Sequence, residues 1–143
     1  MTEPADVKSE MTGRCLCGTV SFTATDVETG HHACHCKMCQ HWSSGIYLAA
    51  PVGAVRFEGE RNITRYASSE WAERGFCARC GSNLFYRLKH DGRHYVSVGT
   101  FDDQRPFTVS GEIYIDAKPA GYALAGDHPR LTEAELLAQL GIT

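Results

Sequence analysis

The chain has 143 residues, enough for one domain with a real hydrophobic core, and its apolar and charged fractions are those of an ordinary soluble protein. A formal net charge of -3 argues against non-specific nucleic-acid binding, which draws on a basic face. No apolar run approaches the roughly 20 residues needed to span a bilayer, and residues 1–10 lack the basic and apolar regions of a secretory signal. A cytoplasmic protein with no membrane or nucleic-acid partner is therefore expected.

Residues 1–11 read as a flexible leader and residues 12–143 as a single zinc-binding domain, with no linker, internal repeat or low-complexity block. Residues 19–25 alternate, placing Val20, Phe22 and Ala24 on one face of a strand. Further short strands are predicted at 46–50, 55–57, 62–66, 83–88, 94–98 and 112–115, where β-branched and aromatic residues are frequent. Asp91-Gly92 between two of them is a hairpin turn signal. Helical signals are weak until the end. There Thr132 and Glu135 form a capping box, Leu131 and Leu136 occupy the staple positions around it, and Gly141 stands as a C-cap. The fold class predicted is mainly β and antiparallel, with one short C-terminal helix.

Cysteine usage is the anomaly. The seven cysteines are odd in number and fall in tight clusters, in a chain long enough not to need disulfide staples. In a reducing compartment, such clusters are metal ligands or redox groups. Cys15 and Cys17 lie before the first strand predicted, and Cys77 and Cys80 follow about sixty residues later. Each pair can chelate one edge of a metal, and together they make a tetrahedral four-cysteine set, the usual closed structural zinc site. Gly18 and Gly81 directly follow the second cysteine of each pair and let the backbone turn back toward the sulfurs. Two unrelated knuckles, or buried free thiols, are the alternatives.

The other three cysteines form Cys-x-Cys-x-x-Cys at Cys34, Cys36 and Cys39. Three protein ligands leave a fourth tetrahedral position open, which separates catalytic from structural zinc. Three thiolates leave Zn²⁺ with a net charge of about -1 and suit it to exchange with another thiol rather than to activate water. The ligands alone thus suggest thiol chemistry. Other readings stand beside this one: His31, His32, His35 or His41 closes the site; all seven cysteines serve redox chemistry; or the loop carries free thiols.

Gly-Arg-Cys-Leu-Cys-Gly at 13–18, Cys-His-Cys-Lys-Met-Cys at 34–39 and Arg-Gly-Phe-Cys-Ala-Arg-Cys-Gly at 74–81 occur in that order. This pattern resembles the glutathione-dependent formaldehyde-activating family, which also includes centromere protein V. Ser-Val-Gly-Thr-Phe-Asp-Asp at 97–103, and Glu-Ile-Tyr-Ile at 112–115 followed by Lys118-Pro119, extend the likeness over nearly the whole chain. The resemblance implies a β-tent zinc fold. It implies structural zinc on Cys15, Cys17, Cys77 and Cys80, and a second, catalytic zinc, open to exchange, on Cys34, Cys36 and Cys39. The activity implied is carbon–sulfur lyase chemistry, joining formaldehyde and glutathione to S-hydroxymethylglutathione.

On that reading a substrate thiol ionises at the second zinc and the aldehyde is held beside it. His35 either shuttles the proton or hydrogen-bonds to shape the loop. Lys37 and Arg14 either pair with substrate carboxylates or are solvated surface charges. Ser43, Ser44 and Gly45 are candidates to line the pocket, and Trp42 and Trp71 are expected to pack in the core or close the site. The alternatives to an enzyme are a non-enzymatic zinc scaffold and a thiol or zinc sensor. A homodimer is compatible with a β-rich chain of this size.

Overall fold

A computed structural model describes residues 6–141. In chain order it contains β1 (Val7–Arg14), β2 (Ser21–Glu28), β3 (Gly30–Cys34), α1 (Lys37–Ser43), β4 (Tyr47–Pro51), β5 (Ala54–Glu58), β6 (Ile63–Tyr66), β7 (Ala72–Cys77), β8 (Asn83–Leu88), β9 (His94–Ser97), β10 (Thr108–Ile113), β11 (Arg130–Leu131) and α2 (Glu133–Gln139). The fold is mainly β with a short C-terminal helix, as expected. Among the described residues no helix is long and apolar enough to cross a membrane. The chain divides into two compact units, Met1–Gly30 with Ala49–Thr108, and His31–Leu48 with Val109–Thr143.

The first unit contains a three-stranded antiparallel sheet in the order β1-β2-β5. Alternation in β2 buries Phe22 and Ala24, with Val20 just before the strand; the phase then shifts at Asp26, whose backbone is left-handed at φ +50°, and Val27 is buried. Phe22 pairs in register with Phe57, and their rings meet edge to face at 6.0 Å. Four further strands run β9-β8-β7-β6, all antiparallel, with Ala49–Pro51 of β4 paired to β9. The β8–β9 hairpin turns where Asp91-Gly92 predicts. Gly92 has φ +75°, and the Arg93 N–H donates to Asp91 Oδ1 at 2.9 Å. The core here consists of Cys15, Val20, Cys77, Leu84 and Phe85, with Phe57, Ile63 and Cys80 packed against it.

The second unit holds β3, α1, β10, β11 and α2. β10 lies between β3 and β11, and it pairs with β11 in parallel, Glu112 opposite Arg130. The capping box of α2 is complete: Thr132 Oγ1 accepts the Glu135 N–H at 3.2 Å, and Glu135 Oε1 accepts the Thr132 N–H at 2.8 Å. Gly141, with φ +76°, ends the helix by donating to the Ala138 carbonyl at 3.1 Å.

Several elements depart from the sequence reading. Residues 7–11, read as leader, belong to β1, which pairs with β2 over seven residue pairs although only Gly13 of the strand is buried. The ladder of backbone hydrogen bonds holds it, not an apolar face, so periodicity had nothing to detect. The leader's first five residues lie outside the described residues. β7 escaped notice because it carries a buried arginine: Arg74 sits over the Tyr86 ring at 4.9 Å and donates from Nε to Ser68 Oγ at 3.3 Å. Trp71, expected in the core or closing a site, is 54% exposed just before β7.

Candidate metal centres

In the first unit, the Cys15, Cys17, Cys77 and Cys80 sulfurs all lie within 4.8 Å of one another. The Cys15–Cys17 separation is 3.6 Å and the Cys17–Cys77 separation 3.9 Å. A tetrahedral ion with metal–sulfur bonds of about 2.3 Å sets its sulfurs about 3.8 Å apart, so these distances fit a zinc-sized ion closely. Two matching turns place the sulfurs. Gly18 and Gly81 both have φ +79°, a backbone that a side chain would strain. The Gly18 N–H donates to the Cys15 carbonyl at 3.1 Å, and the Gly81 N–H to the Cys77 carbonyl at 2.8 Å. A hydroxyl follows each glycine and meets the preceding sulfur: Thr19 Oγ1 lies 3.1 Å from Cys17 Sγ, and Ser82 Oγ lies 3.2 Å from Cys80 Sγ. Ser82 Oγ also accepts the Leu16 N–H at 2.9 Å, which stitches one turn to the other.

These contacts divide the thiols. The Ser82 hydroxyl beside Cys80 pulls its pKa down to about 5, and Thr19 lowers that of Cys17. Burial raises Cys15, against the Val20 N–H that donates to its sulfur at 3.3 Å. Cys17 and Cys80 are thus shifted toward the thiolate and buried Cys15 away from it.

The second cluster lies in the second unit, where the Cys34, Cys36 and Cys39 sulfurs are also mutually within 4.8 Å. The compact loop expected there is partly a helix. Cys36 is the N-cap of α1, and its Sγ accepts the Cys39 N–H at 3.3 Å. The Cys-x-x-Cys spacing therefore equals the distance from N-cap to third helical residue, which turns both sulfurs to one end of the helix. Cys39 is buried, and Cys34 and Cys36 are half-buried. Hydrogen bonding with Cys36 and Cys39, then burial, pushes the Cys34 thiol far up. Such crowding resists deprotonation in the absence of a cation and suits three sulfurs gathered to hold one. Among the described residues, no histidine or carboxylate joins the three sulfurs.

The histidines weighed as a fourth ligand are placed elsewhere. His32 and His41 are exposed, and buried His31 directs Nδ1 to the His32 carbonyl at 3.2 Å. His35 is 0% exposed, and its Nε2 lies 2.7 Å from Glu112 Oε1. Glu112 is itself 1% exposed; its other oxygen meets His128 Nε2 at 2.6 Å and Arg130 Nε at 2.8 Å. Burial raises the Glu112 pKa, but the hydrogen bonds from His128, His35 and Arg130 outweigh it and hold the carboxyl below its ordinary value. Gln40 Nε2 donates to the His35 carbonyl at 2.7 Å and to that of Ala117 at 2.8 Å, fixing the loop backbone.

Sequence reasoning missed Glu112, His128, Arg130 and Gln40, which no short motif joins. It also missed Tyr114, whose backbone is left-handed at φ +58° and whose phenol is raised by burial, then Glu133 and then the three cysteines. The recurring Cys-Gly-Thr and Cys-Gly-Ser steps could have revealed Thr19 and Ser82. Among the pocket candidates, Lys37 and Ser44 are exposed and Gly45 is half-buried. Ser43 Oγ is buried without a hydrogen-bond partner, and the Trp42 ring meets Tyr47 edge to face at 5.3 Å. Arg14 is well exposed and lies 3.7 Å from Asp102. Two cavities of the first unit, of about 280 and 390 Å³, contain none of the cysteines; Arg65, Arg87 and His94 line the smaller, and Lys8, Met11 and Asp102 the larger.

A mainly β fold with two gathered cysteine clusters defines a class of proteins whose sulfur-rich sites could hold metal ions. The model of the glutathione-dependent formaldehyde-activating enzyme family matches residues 10–117, and the chain belongs to that family. A Schizosaccharomyces pombe protein named as an uncharacterized lyase is 29% identical over 133 residues, covering 92% of this chain and 97% of that protein. A crystal structure of a Rhodobacter sphaeroides protein shares the fold with a TM-score of 0.54 at 20% identity, covering 84% of this chain and 99% of that one. A formaldehyde-activating, lyase-type function follows from the family, with two cysteine clusters that could hold metal ions.

Proposed function

We propose that the protein is a zinc-dependent carbon–sulfur lyase acting on the adduct of a small aldehyde with a glutathione-type thiol, in the manner of S-hydroxymethylglutathione synthesis. The observation that carries this is the contrast between the clusters: four sulfurs gathered within 4.8 Å of one another in one unit, and in the other three sulfurs with no fourth cysteine, histidine or carboxylate beside them among the described residues. Cys15, Cys17, Cys77 and Cys80 hold a structural ion, and Cys34, Cys36 and Cys39 hold the reactive one. Zinc on the three sulfurs would lower the pKa of an incoming thiol and favour its thiolate near neutral pH.

The chain supplies the arrangement. Capping by Cys36 sets the sulfur spacing, Gln40 clamps the loop backbone, and Glu112 anchors His35. A fixed loop lets the thiol and the aldehyde meet without reorganisation, which suffices for an addition that is already easy. Cys34, Cys36 and Cys39 act as ligands, and His35 acts from beside them.

The test is exchange spectroscopy on formaldehyde and glutathione. The protein should accelerate interconversion with S-hydroxymethylglutathione, and Cys36→Ser should remove the acceleration. Two zincs per chain with no acceleration would refute the assignment. The half-exposure of Cys34 and Cys36 favours, as a second reading, a thiol or zinc sensor. Loss of one zinc on mild oxidation, without turnover, would select it.

A further inference from the structure

The smaller cavity of the first unit is built largely by one face of a sheet. Arg65 on β6, Glu73 on β7, Arg87 on β8 and His94 on β9 stand on neighbouring strands. Glu73 is in register with Arg87, and Arg87 with His94. Arg65 is opposite Gly75, which shares the Glu73 face of β7. Glu73 Oε1 accepts from Arg65 Nη1 at 3.1 Å and from Arg87 Nη1 at 3.3 Å. The floor is aromatic. A Cβ on Gly75 would lie 2.2 Å from Phe85 Cζ, so the glycine leaves that space to the ring. The Arg65 guanidinium stands 5.0 Å over the Phe85 ring, and the His94 ring meets it at 4.8 Å. Val55 and Phe57 of β5 add an apolar wall, with the Phe57 ring 5.3 Å from Phe85. The volume, about 280 Å³, suits a small molecule.

This row of charges is one anion short. Cross-strand ladders are stabilised by alternating charge. Arg65, Glu73 and Arg87 alternate, but the place opposite Arg87 holds His94 instead of a carboxylate. Burial, then Arg87 and Arg65, hold the His94 pKa at about 4, and Glu73 opposes them more weakly. The ring is therefore neutral near neutral pH and gives Arg87 no counter-charge. Among the described residues Arg87 pairs with no carboxylate but Glu73, which it shares with Arg65. Glu60, on the turn before β6, accepts from Arg65 Nη2 at 3.3 Å, but it is exposed and its charge is screened by solvent.

We infer that this cleft binds a small organic carboxylate, its carboxyl group on Arg87 and Arg65 and its apolar body against Phe57 and Val55. A guanidinium fork matches the geometry of a carboxylate, and Glu73 already holds both forks in place, which reduces the cost of ordering them. The apolar wall favours an organic acid over an inorganic oxyanion. The site uses no cysteine and is independent of the thiol-adduct reading.

The test is NMR titration of the zinc-loaded full chain with benzoate, near neutral pH and at constant ionic strength. Benzoate should bind saturably, shift the ring signals of His94 and Phe57, and give nuclear Overhauser contacts from its ring protons to Val55 and Phe57. Benzyl alcohol, of similar shape but uncharged, should bind about tenfold more weakly, and so should benzoate to Arg87→Gln. Glu60→Gln removes a rival anion from Arg65 and should tighten binding about threefold. Absence of saturable binding would overturn the inference. Unchanged affinity in a folded Arg87→Gln would do the same. If that variant does not fold, the wild type decides alone: bound benzoate without contacts to Val55 or Phe57 lies elsewhere. Benzyl alcohol binding as tightly as benzoate would make the cleft merely apolar. Inorganic phosphate displacing benzoate at equal concentration would make it a general oxyanion site, and either result would overturn the carboxylate assignment.

Discussion

Replacing Cys77 and replacing Cys36 should have very different consequences for the fold. Cys77 is 0% exposed and sits in the core with Cys15, Val20, Leu84 and Phe85. A structural zinc site contributes on the order of 10–16 kcal/mol, or about 3 kcal/mol for each of four ligands. The serine hydroxyl in Cys77→Ser, buried and poorly partnered, adds about 1–3 kcal/mol. The expected loss of about 4–6 kcal/mol approaches the whole stability of many domains, about 5–15 kcal/mol. Cys36 is half-buried, its sulfur already caps α1, and serine is a preferred N-cap. Cys36→Ser should therefore cost no more than about 1 kcal/mol. Thermal melts by circular dichroism, paired with zinc analysis, provide the assay. Cys77→Ser should lower Tm by about 10–20 °C or abolish folding, and Cys36→Ser by less than about 4 °C with only one zinc lost. Equal losses in the two variants would refute the division into a structural and a reactive site.

Acid sensitivity should have an identifiable source. Burial, then Arg87 and Arg65, depress the pKa of His94 from an ordinary 6.5 to about 4. Between those values the unfolded chain binds the proton and the folded one does not, so stability falls as pH drops from 6.5 toward 4. Urea unfolding across that range should show a shallower slope in His94→Gln, and an unchanged slope would assign the sensitivity elsewhere. Gly81→Ala should cost about 1–2 kcal/mol through its left-handed backbone alone, because no atom lies within 4 Å of the added carbon. A loss well beyond that, measured by the same unfolding, would mean that the turn had moved its sulfurs.

The parts of the fold legible in the sequence were those encoded locally. Val20, Phe22 and Ala24 showed one face of β2, Asp91-Gly92 showed the β8–β9 turn, and Thr132 with Glu135 showed the start of α2. Cysteine clustering displayed both candidate centres, because ligand spacing is itself a local pattern. What remained hidden is held by partners distant in sequence. β1 depends on its ladder with β2, and α1 is a seven-residue helix carrying cysteine, histidine and tryptophan, with little helical pattern to read. Glu112 lies 77 residues from His35 and reads as one more charge at the edge of an apolar strand. Only pairing in space turns it into a buried anion that three donors share.

The two matched cysteine turns bear on how the protein is made. Their sulfurs meet across a separation of 60 residues, so the N-terminal pair leaves the ribosome long before its partner exists. At synthesis rates of about 5–20 residues per second the delay is about 3–12 s. Until Ser82 emerges to accept the Leu16 N–H, Cys15 and Cys17 are two thiols without the pair they gather with in the folded chain. Folding of the first unit is thereby tied to the survival of reduced cysteine on a nascent chain.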